Sequence, residues 1–369
     1  MTQRAISCLC GHVAQEVSLG QFTDEPTLDL CHCTACRTTT GMLCSIYCPL
    51  QGRPHKLDSL REYQQPKDII RFFCKICGAH AFVFSIPLDQ YFVAAGLLVD
   101  EPSPSRTQSV RHWQASETHD GGLTSFLPGD SAITRSKCWL RAYPYDNGNY
   151  SEVKTNIRRL PHDSIELRCR CHCAGIEFYI TRPDASSTQA TSPWPDLLVP
   201  YHVHSSENAT DVKWWLRNAN TKYLAGTCAC PSCRLASGCP IQPWAFIPKA
   251  NLLDSYRAPL TVGAGTMQRF ESSPGVYREF CNRCGASIFW HSDERPLLVD
   301  VSVGLLQASE GSLARQWLEW TTSRVSFAEM ALDKNLIRRL QMGLQEYAER
   351  QVNSHPPLQP VIQLAQDNM

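Results

Sequence analysis

The feature that most constrains this chain is an ordered set of seven cysteines that occurs twice. Each set has a Cys-x-Cys pair, a Cys-x-Cys-x-x-Cys-Arg segment and a Phe-Cys-x-x-Cys-Gly segment, in that order. The first set is Cys8, Cys10, Cys31, Cys33, Cys36, Cys74 and Cys77, and the second is Cys171, Cys173, Cys228, Cys230, Cys233, Cys281 and Cys284. Thiols that recur at matching spacings predict two diverged copies of one domain.

The two copies also match outside the cysteines. The segment "FCKICGAHAFVFS" (73–85) corresponds to "FCNRCGASIFWHS" (280–292), and "AAGLLVD" (94–100) corresponds to "SVGLLQA" (302–308). Because the second pair of segments follows the first at a similar distance in both copies, the match predicts an internal duplication.

The duplication divides the chain into four parts. We place the first copy at residues 1–140, a polar and turn-rich linker at 141–164, the second copy at 165–330, and a C-terminal helix with a tail at 331–369. Alternating apolar residues predict β-strands in both copies. The helix is predicted from an apolar stripe and is expected to pack on the second copy; the stripe contains Leu332, Leu336, Leu340, Leu344 and Tyr347.

The second copy carries an additional segment, residues 182–226, between its first two cysteine groups. This segment opens with "RPDASSTQATSPWPD", a composition typical of a loop. We expect its Trp214 and Trp215 to pack as part of a lid on the domain surface, with stacking on a substrate as the alternative.

The composition favours a globular protein without a polyanionic partner. Lys and Arg total 35, as do Asp and Glu, so no basic excess favours nucleic acid or an anionic membrane surface. No apolar run approaches the ~18–20 residues of a membrane span, and the first residues lack the apolar stretch of a secretory signal. We expect a soluble protein of the cytoplasm, with the nucleus as a second compartment.

In a reducing compartment, 19 cysteines are expected to bind metal or serve redox chemistry rather than to form structural disulfides.

The seven cysteines of each copy divide into four and three. A Cys-x-Cys pair and a distant Cys-x-x-Cys pair can converge as two knuckles on one tetrahedral zinc ion. The glycine that follows Cys77 and Cys284 allows the tight turn that such a knuckle needs. A closed site of this kind is structural, and it contributes on the order of 10 kcal/mol to folding.

The remaining segments, residues 31–36 and 228–233, supply three thiolates each. Three ligands on one tight loop can hold zinc and leave its fourth position open to an exogenous thiol, whose pKa the zinc lowers. The arginine that follows, Arg37 or Arg234, is expected to offset the negative charge or to bind an anionic ligand by a paired hydrogen bond.

Two alternatives for these three-cysteine segments stay open. A second closed site needs a fourth ligand, and His32 or Cys44 in the first copy and Cys239 in the second are candidates. A dithiol redox centre is less favoured, because no βαβ context surrounds the Cys-x-x-Cys. Three further cysteines also lie outside the pattern: Cys48, Cys138 and Cys169. We expect them to be buried thiols, although Cys169, two residues before Cys171, could take the place of a cysteine in the second copy's first pair.

The ordered cysteine segments resemble those of the glutathione-dependent formaldehyde-activating enzyme family, which also includes centromere protein V. The resemblance covers roughly residues 5–130 and 166–330. It implies a mostly β chain with two tandem Mss4-like zinc-binding β-sandwich domains and the C-terminal helix. It also implies up to four zinc ions per chain, with glutathione as co-substrate.

The resemblance implies a role for each of the fourteen cysteines. The implied ligands of structural zinc are a first quartet (Cys8, Cys10, Cys74, Cys77) and a second quartet (Cys171, Cys173, Cys281, Cys284). The implied ligands of a second, active zinc near which glutathione binds are a first triplet (Cys31, Cys33, Cys36) and a second triplet (Cys228, Cys230, Cys233).

The two copies depart from the family pattern to different degrees. The first contains "VRHWQASETHDGGL" (110–123), similar to a His and Asp-Gly-Gly stretch of many family members, although its His112 and His119 are expected to be structural. The second copy has "RQWLEWTTSRVSF" (315–327) instead, and Ala174 replaces the usual glycine after its first pair. We therefore expect the first triplet to carry the chemistry.

These features give one principal hypothesis and one alternative. The principal hypothesis is a zinc-dependent enzyme of the carbon–sulfur lyase type that acts on a glutathione adduct of a small aldehyde or another electrophile. The alternative is a non-enzymatic Mss4-like zinc module that binds another protein. The neutral net charge argues against direct binding to DNA or microtubules, which are both polyanionic.

Overall fold

The computed structural model describes residues 2–20, 27–65, 68–100, 109–130, 133–135, 140, 150–152, 165–194 and 208–354. Cys138 and most of the predicted linker, residues 141–149 and 153–164, lie outside the described residues. The boundaries of that linker therefore stay a prediction.

The first copy is built from a hairpin and a large mixed sheet. Strands β1 and β2 form the hairpin, and the sheet has the strand order β11-β10-β9-β3-β4-β8-β7-β6-β5. The strands are β1 (Thr2–Ile6), β2 (Gln15–Leu19), β3 (Thr27–Cys31), β4 (Ser45–Pro49), β5 (Arg61–Gln65), β6 (Ile69–Phe73), β7 (His80–Ser85), β8 (Gln90–Ala94), β9 (Ser109–Trp113), β10 (Ile133–Arg135) and β11 (Tyr150–Glu152).

The second copy has a small three-stranded sheet and a second large sheet. The small sheet has the order β12-β13-β17, and the large one has the order β14-β15-β16-β21-β20-β19-β18, with β22 paired to β15. The strands are β12 (Glu166–Arg170), β13 (Glu177–Thr181), β14 (Leu216–Arg217), β15 (Lys222–Cys228), β16 (Gln242–Pro248), β17 (Leu252–Leu253), β18 (Met267–Ser273), β19 (Val276–Cys281), β20 (Ser287–Ser292), β21 (Leu298–Ser302) and β22 (Leu318–Trp320).

The two large sheets repeat one topology. The order β3-β4-β8-β7-β6-β5 corresponds strand by strand to β15-β16-β21-β20-β19-β18. In each sheet a later strand lies parallel to the first of these, β9 beside β3 and β22 beside β15. The hairpin β1–β2 likewise corresponds to β12–β13. The mostly β fold and its duplication are confirmed.

Three α-helices are described: the first triplet helix (Thr34–Thr40), the second triplet helix (Pro231–Ser237) and the C-terminal helix (Lys334–Ser354). Short 3-10 turns complete the elements, at Leu57–Ser59, Ala95–Leu97, Ala115–Thr118, Gly122–Ser125, Ala185–Thr188, Lys249–Asn251, Val303–Leu305 and Ala328–Met330. In the part of the chain that the structure describes, no helix combines the length and the apolar character needed to cross a bilayer.

The two copies share a hydrophobic core. One cluster of buried side chains joins Leu30 and Phe126 of the first copy to Leu224, Phe246 and Val303 of the second. Since apolar area removed from water is the main favourable term in folding, this continuity makes the two copies one packing unit.

The interface between the copies also contains two equivalent loop contacts, one from each copy. The N–H of Gly304 donates to the carbonyl of Gly41 at 2.9 Å, and the N–H of Gly96 donates to the carbonyl of Gly238 at the same distance. Gly41 and Gly238 end the two triplet helices in the left-handed conformation. Each triplet helix therefore ends against a loop of the opposite copy.

The C-terminal helix packs on the second copy, as expected, and it also contacts the first copy. Its Tyr347 ring meets the edge of Phe126 with centroids 5.0 Å apart, and Arg339 pairs with Asp130 at 2.8 Å. Both partners belong to the first copy, whereas Arg315 of the second copy lies over Tyr347. The apolar stripe of the helix therefore packs into the core that the two copies share.

The Trp pair of the additional segment is buried, as expected. Trp214 is 2% exposed and Trp215 is fully buried. The indole N–H of Trp215 donates to the carbonyl of Ser187 at 3.1 Å, and Trp214 packs against Phe246 with ring centroids 4.8 Å apart. The alternative of stacking on a substrate is not supported by these contacts.

Substituting Gly41 is expected to weaken the contact between the copies. Gly41 has φ of 83°, and a Cβ there would overlap the carbonyl oxygen of Ser287 in the second copy. Gly52→Ala is the matched control, because Gly52 has φ of 89° and open space around it. We expect Gly52→Ala to cost about 1–2 kcal/mol through the backbone alone, and Gly41→Ala to cost roughly 2 kcal/mol more through overpacking. Urea unfolding measures the difference, and equal costs would show that this contact does not hold the copies together.

Candidate functional site

The first quartet forms where hairpin β1–β2 meets the turn between β6 and β7. Its four Sγ atoms lie within 4.8 Å of one another. The sulfur of Cys10 is 3.5 Å from those of Cys8 and Cys74. The backbone N–H of Val13 donates to Cys8 Sγ and that of Ile76 to Cys74 Sγ, both at 3.4 Å. Such N–H groups orient metal-bound sulfur and moderate its charge.

The second quartet has the same construction. Cys173 Sγ lies 3.6 Å from Cys171 Sγ and 3.5 Å from Cys281 Sγ. The N–H of Ile176 donates to Cys171 Sγ at 3.3 Å, and that of Gly175 donates to Cys173 Sγ at 3.4 Å. The distant sequence pairs thus meet in both copies.

Zinc fits both quartets. Four tetrahedral Zn–S bonds of ~2.3 Å separate the sulfurs by about 3.8 Å, close to the separations found here. Crowded thiols share protons unevenly: hydrogen bonds from Cys74 and Cys77 lower the pKa of Cys8, and hydrogen bonds with the other three thiols raise the pKa of Cys77. Four thiolates at this spacing need a cation among them, because their mutual repulsion is otherwise uncompensated.

The two triplets lie at the N-terminal ends of the triplet helices. Cys33 caps the first triplet helix and accepts the N–H of Cys36 at 3.4 Å, while Cys31 Sγ lies 3.6 Å from Cys33 Sγ. In the second copy, Cys230 caps the helix and accepts the N–H of Cys233 at 3.2 Å. In each triplet the three sulfurs lie within 4.8 Å of one another.

Among the described residues, no fourth Cys, His, Asp or Glu ligand joins either triplet. His32 Nε2 instead lies 2.8 Å from His112 Nδ1. Cys44 and Cys239 hydrogen-bond to each other across the two copies, which raises the pKa of Cys44 and lowers that of Cys239. All three candidates for closing the triplet sites are thus engaged elsewhere.

A buried arginine contacts each triplet, and sequence reasoning missed both of them. Arg71 is fully buried and donates to Cys36 Sγ at 3.1 Å. Arg278 donates to Cys233 Sγ at 3.6 Å, and it contributes, after hydrogen bonds from Cys228 and Cys230, to the lowered pKa of Cys233. The available signal was their identical position, three residues before the Cys-x-x-Cys pair in each copy.

The arginines predicted from the sequence, Arg37 and Arg234, are buried beside the triplets but contact backbone. Arg37 donates to the carbonyl of His32 at 3.1 Å, and burial lowers its pKa. Arg234 donates to the carbonyls of Gly96 and Leu98 in the opposite copy, at 2.5 and 2.6 Å. A role for either arginine in binding glutathione stays a prediction.

In the His and Asp-Gly-Gly stretch of the first copy, His112 and Asp120 make structural contacts, whereas His119 is exposed. His112 Nε2 lies 2.9 Å from the carbonyl of Leu127, and burial lowers the pKa of His112 to about 4. The Asp120 carboxylate accepts the N–H of Leu313 at 2.7 Å and the hydroxyl of Ser312 at 3.2 Å, both in the second copy. This stretch therefore holds the copies together.

The cysteines outside the pattern do not join the clusters of the described residues. Cys169 is buried on β12, and burial raises its pKa well above the ordinary value, so it does not compete with the neighbouring pair. Burial likewise raises the pKa of Cys48 to about 12. Cys169 behaves as an apolar core thiol, whereas Cys48 is only partly buried.

Exposure differs between the triplets. In the first, the most accessible residue is Cys33, at 6%. In the second, Cys230 is partly exposed, whereas Cys228 and Cys233 are buried. Most of the sulfur surface is thus shielded from bulk water.

The family model described as glutathione-dependent formaldehyde-activating enzyme matches residues 3–115 and again residues 211–323. The chain belongs to this family. Its two matched regions contain both triplets and confirm a tandem member of the glutathione-dependent formaldehyde-activating enzyme family. No curated protein and no solved structure is significantly similar to the chain.

The second matched region begins after Cys171 and Cys173. The fold explains how these two cysteines still belong to the second copy. Hairpin β12–β13 precedes the additional segment and returns the pair to Cys281 and Cys284. The insertion is shorter than the predicted segment 182–226, because residues from 211 onward match the family model and β15 corresponds to β3 of the first copy.

We expect the purified protein to contain four zinc ions per chain, one for each of the four cysteine clusters. Cys36→Ser should reduce the zinc content by one ion and leave the fold largely intact, whereas Cys77→Ser should also destabilise the protein, because a closed site contributes directly to folding. Elemental analysis and thermal unfolding measure both effects. A content of two zinc ions held by the quartets would contradict the triplet assignment.

Proposed function

We propose that this chain is a zinc-dependent enzyme of the carbon–sulfur lyase type. Its substrate would be the adduct of glutathione with a small aldehyde or another electrophile. Formation of such an adduct from an aldehyde joins sulfur to carbon and places the thiol proton on the carbonyl oxygen. The reverse step breaks the same bond, so neither direction needs an oxidant or a reductant.

The observation that carries the proposal is the three-sulfur cluster without a fourth described ligand. Membership of the glutathione-dependent formaldehyde-activating family supports the same chemistry. When bound by three thiolates, zinc supplies an open coordination position and lowers the pKa of a thiol there. Because the family is glutathione-dependent, we expect the thiol of glutathione to occupy this position.

The protein's own residues would prepare the triplet for this task. Arg71 donates to Cys36 from a fully buried position and is also held by Tyr47, whose hydroxyl accepts a hydrogen bond at 2.9 Å. A guanidinium fixed in this way offsets the charge of the thiolates without mobile water. The N–H of Cys36 fixes the position of Cys33 Sγ. Together these contacts would keep the triplet deprotonated and correctly oriented.

We assign the chemistry to the first triplet, and the second triplet would serve structure or substrate selection. A buried histidine pair lies beside the first triplet, where His32 Nε2 is 2.8 Å from His112 Nδ1. The position of His32 between the first two cysteines of its triplet is taken by Ala229 in the second copy. The contact between His32 and His112, which Ala229 cannot make in the second copy, favours the first triplet as the site that binds a polar adduct.

A second candidate function is a non-enzymatic zinc module that binds another protein. The observation in its favour is the burial of the first triplet, whose Cys31 and Cys36 are fully buried. A site closed to small molecules would stabilise the fold and leave recognition to the surface. Binding of glutathione separates this candidate from the enzyme.

The proposal is tested by titrating the zinc-loaded protein with glutathione and by assaying formation and cleavage of its formaldehyde adduct. We expect calorimetric binding and turnover in the wild type. Cys33→Ala should abolish turnover, whereas the matched Cys230→Ala should retain most of it.

Two results would contradict parts of this account. If Cys230→Ala abolishes turnover and Cys33→Ala does not, the second triplet is the catalytic one. If the fully zinc-loaded wild type neither binds glutathione nor turns over the adduct, the protein-binding candidate replaces the enzyme.

A further inference from the structure

We propose that the two copies support one another's metal sites crosswise. The second quartet holds the first triplet helix in position, and the first quartet holds the second triplet helix. The proposal rests on metal binding by the cysteine clusters and does not depend on the reaction proposed above.

The first line of evidence is a reciprocal pair of hydrogen bonds. His172, between the two cysteines of the second quartet's Cys-x-Cys turn, donates its N–H to the carbonyl of Thr38 at 3.1 Å. Leu9, between the two cysteines of the first quartet's turn, donates its N–H to the carbonyl of Leu235 at 3.1 Å. Thr38 and Leu235 are equivalent positions, each two residues after the last cysteine of a triplet. Each quartet thus contacts the triplet helix of the other copy.

The Cys-x-x-Cys turns are held across the copies as well. Arg61 on β5 donates to the carbonyl of Asn282, which lies between Cys281 and Cys284. Gln268 on β18 donates to the carbonyl of Lys75, between Cys74 and Cys77, at 2.8 Å. The equivalent turn of each quartet therefore receives a side-chain donor from the edge strand of the opposite sheet, β5 or β18.

Close packing reinforces these hydrogen bonds. A Cβ on Gly285 would come 2.7 Å from the Phe73 ring of the first copy, and a Cβ on Gly78 would overlap the Phe280 ring of the second. Each glycine directly follows the last cysteine of its quartet. The glycine end of each knuckle therefore packs against the opposite copy, whereas Lys75, Ile76 and Arg283 at the tips of the turns are exposed.

This arrangement couples the four metal sites. A bound ion fixes both turns of a quartet, since the turns carry its ligands. A fixed Cys-x-Cys turn restrains the triplet helix of the other copy. The thiols of that triplet lie at the N-terminal end of this helix. Loss of metal from the second quartet should therefore loosen the first triplet, and by linkage the two sites must influence each other equally.

The first triplet helix receives more polar support from the opposite quartet than the second triplet helix does. Tyr63 Oη lies 2.5 Å from His172 Nδ1, so the second quartet's turn gains a further polar contact with the first copy. The strand registers show the equivalent of Tyr63, because Tyr63 pairs with Arg71 and Phe270 pairs with Arg278. Phe270 and Leu9 therefore replace this polar pair on the other side, and neither side chain offers a hydrogen bond. The first triplet is the more firmly supported.

The proposal is tested on the zinc-loaded full chain by adding a chelator and an alkylating reagent, and by following each cysteine set with peptide mass spectrometry. Cys284→Ser should speed alkylation of the first triplet more than that of the second. Cys77→Ser should do the opposite. If each substitution instead exposes the triplet of its own copy first, the crosswise support is wrong.

Two milder variants decide the question if the ligand variants expose all sets together. Arg61→Ala and Gln268→Ala keep all fourteen ligands and each remove one contact to the opposite quartet. Arg61→Ala should expose Cys281 and Cys284 about three- to tenfold faster, as expected for one lost hydrogen bond, and Gln268→Ala should do the same for the first quartet.

The control is Arg53→Ala, because Arg53 is exposed and pairs only weakly with Asp58 at 3.5 Å; it should leave all rates unchanged. Rates unchanged in Arg61→Ala and Gln268→Ala, or changed only in the copy that carries the substitution, would overturn the proposal. The measurement requires no glutathione or aldehyde, so its failure is distinct from a failure of the proposed enzyme activity.

Discussion

The structure depends on the meeting of two distant sulfur pairs in each copy. A Cys-x-Cys turn at the edge of a hairpin reaches a Cys-x-x-Cys turn at the end of a β-strand, and the sulfurs approach to 3.5 Å. Thiolates at this spacing repel one another unless a cation lies between them. A metal ion that supplies this attraction fixes both turns, and the contacts between the copies are built on these turns.

Thiolate charge must also be compensated in the triplets, where a buried arginine contributes to the compensation. Three sulfurs lie at the start of a short helix, and a buried guanidinium, Arg71 or Arg278, donates to the last of them. A buried arginine next to thiolates compensates charge from a fixed position. The quartet thus accounts for stability, and the triplet with its arginine accounts for the chemistry that we propose.

Much of the fold could be predicted from the sequence, because cysteine spacing determines which segments can converge. The duplication and the membership of the four clusters follow from residues such as Cys8 and Cys77 and their counterparts, and the mostly β character follows from the alternating apolar residues and the family resemblance. The interface could not be predicted in this way. Arg71 and His172 occupy positions that the cysteine pattern marks, but that pattern does not show which groups they contact, because Cys36 and Thr38 are distant from them in sequence. The C-terminal helix shows the same limit, since its apolar stripe specifies a buried face but not that Phe126 of the first copy covers it.

The central claim is that the two copies and their metal sites form one cooperative unit. Hydrogen exchange of the zinc-loaded full chain in increasing urea tests it most directly, with β7 reporting on the first copy and β20 on the second. The account predicts that both strands lose protection at the same urea concentration, because the shared core and the crossed knuckles unfold together. Two separate midpoints, with one copy still protected after the other has unfolded, would contradict it.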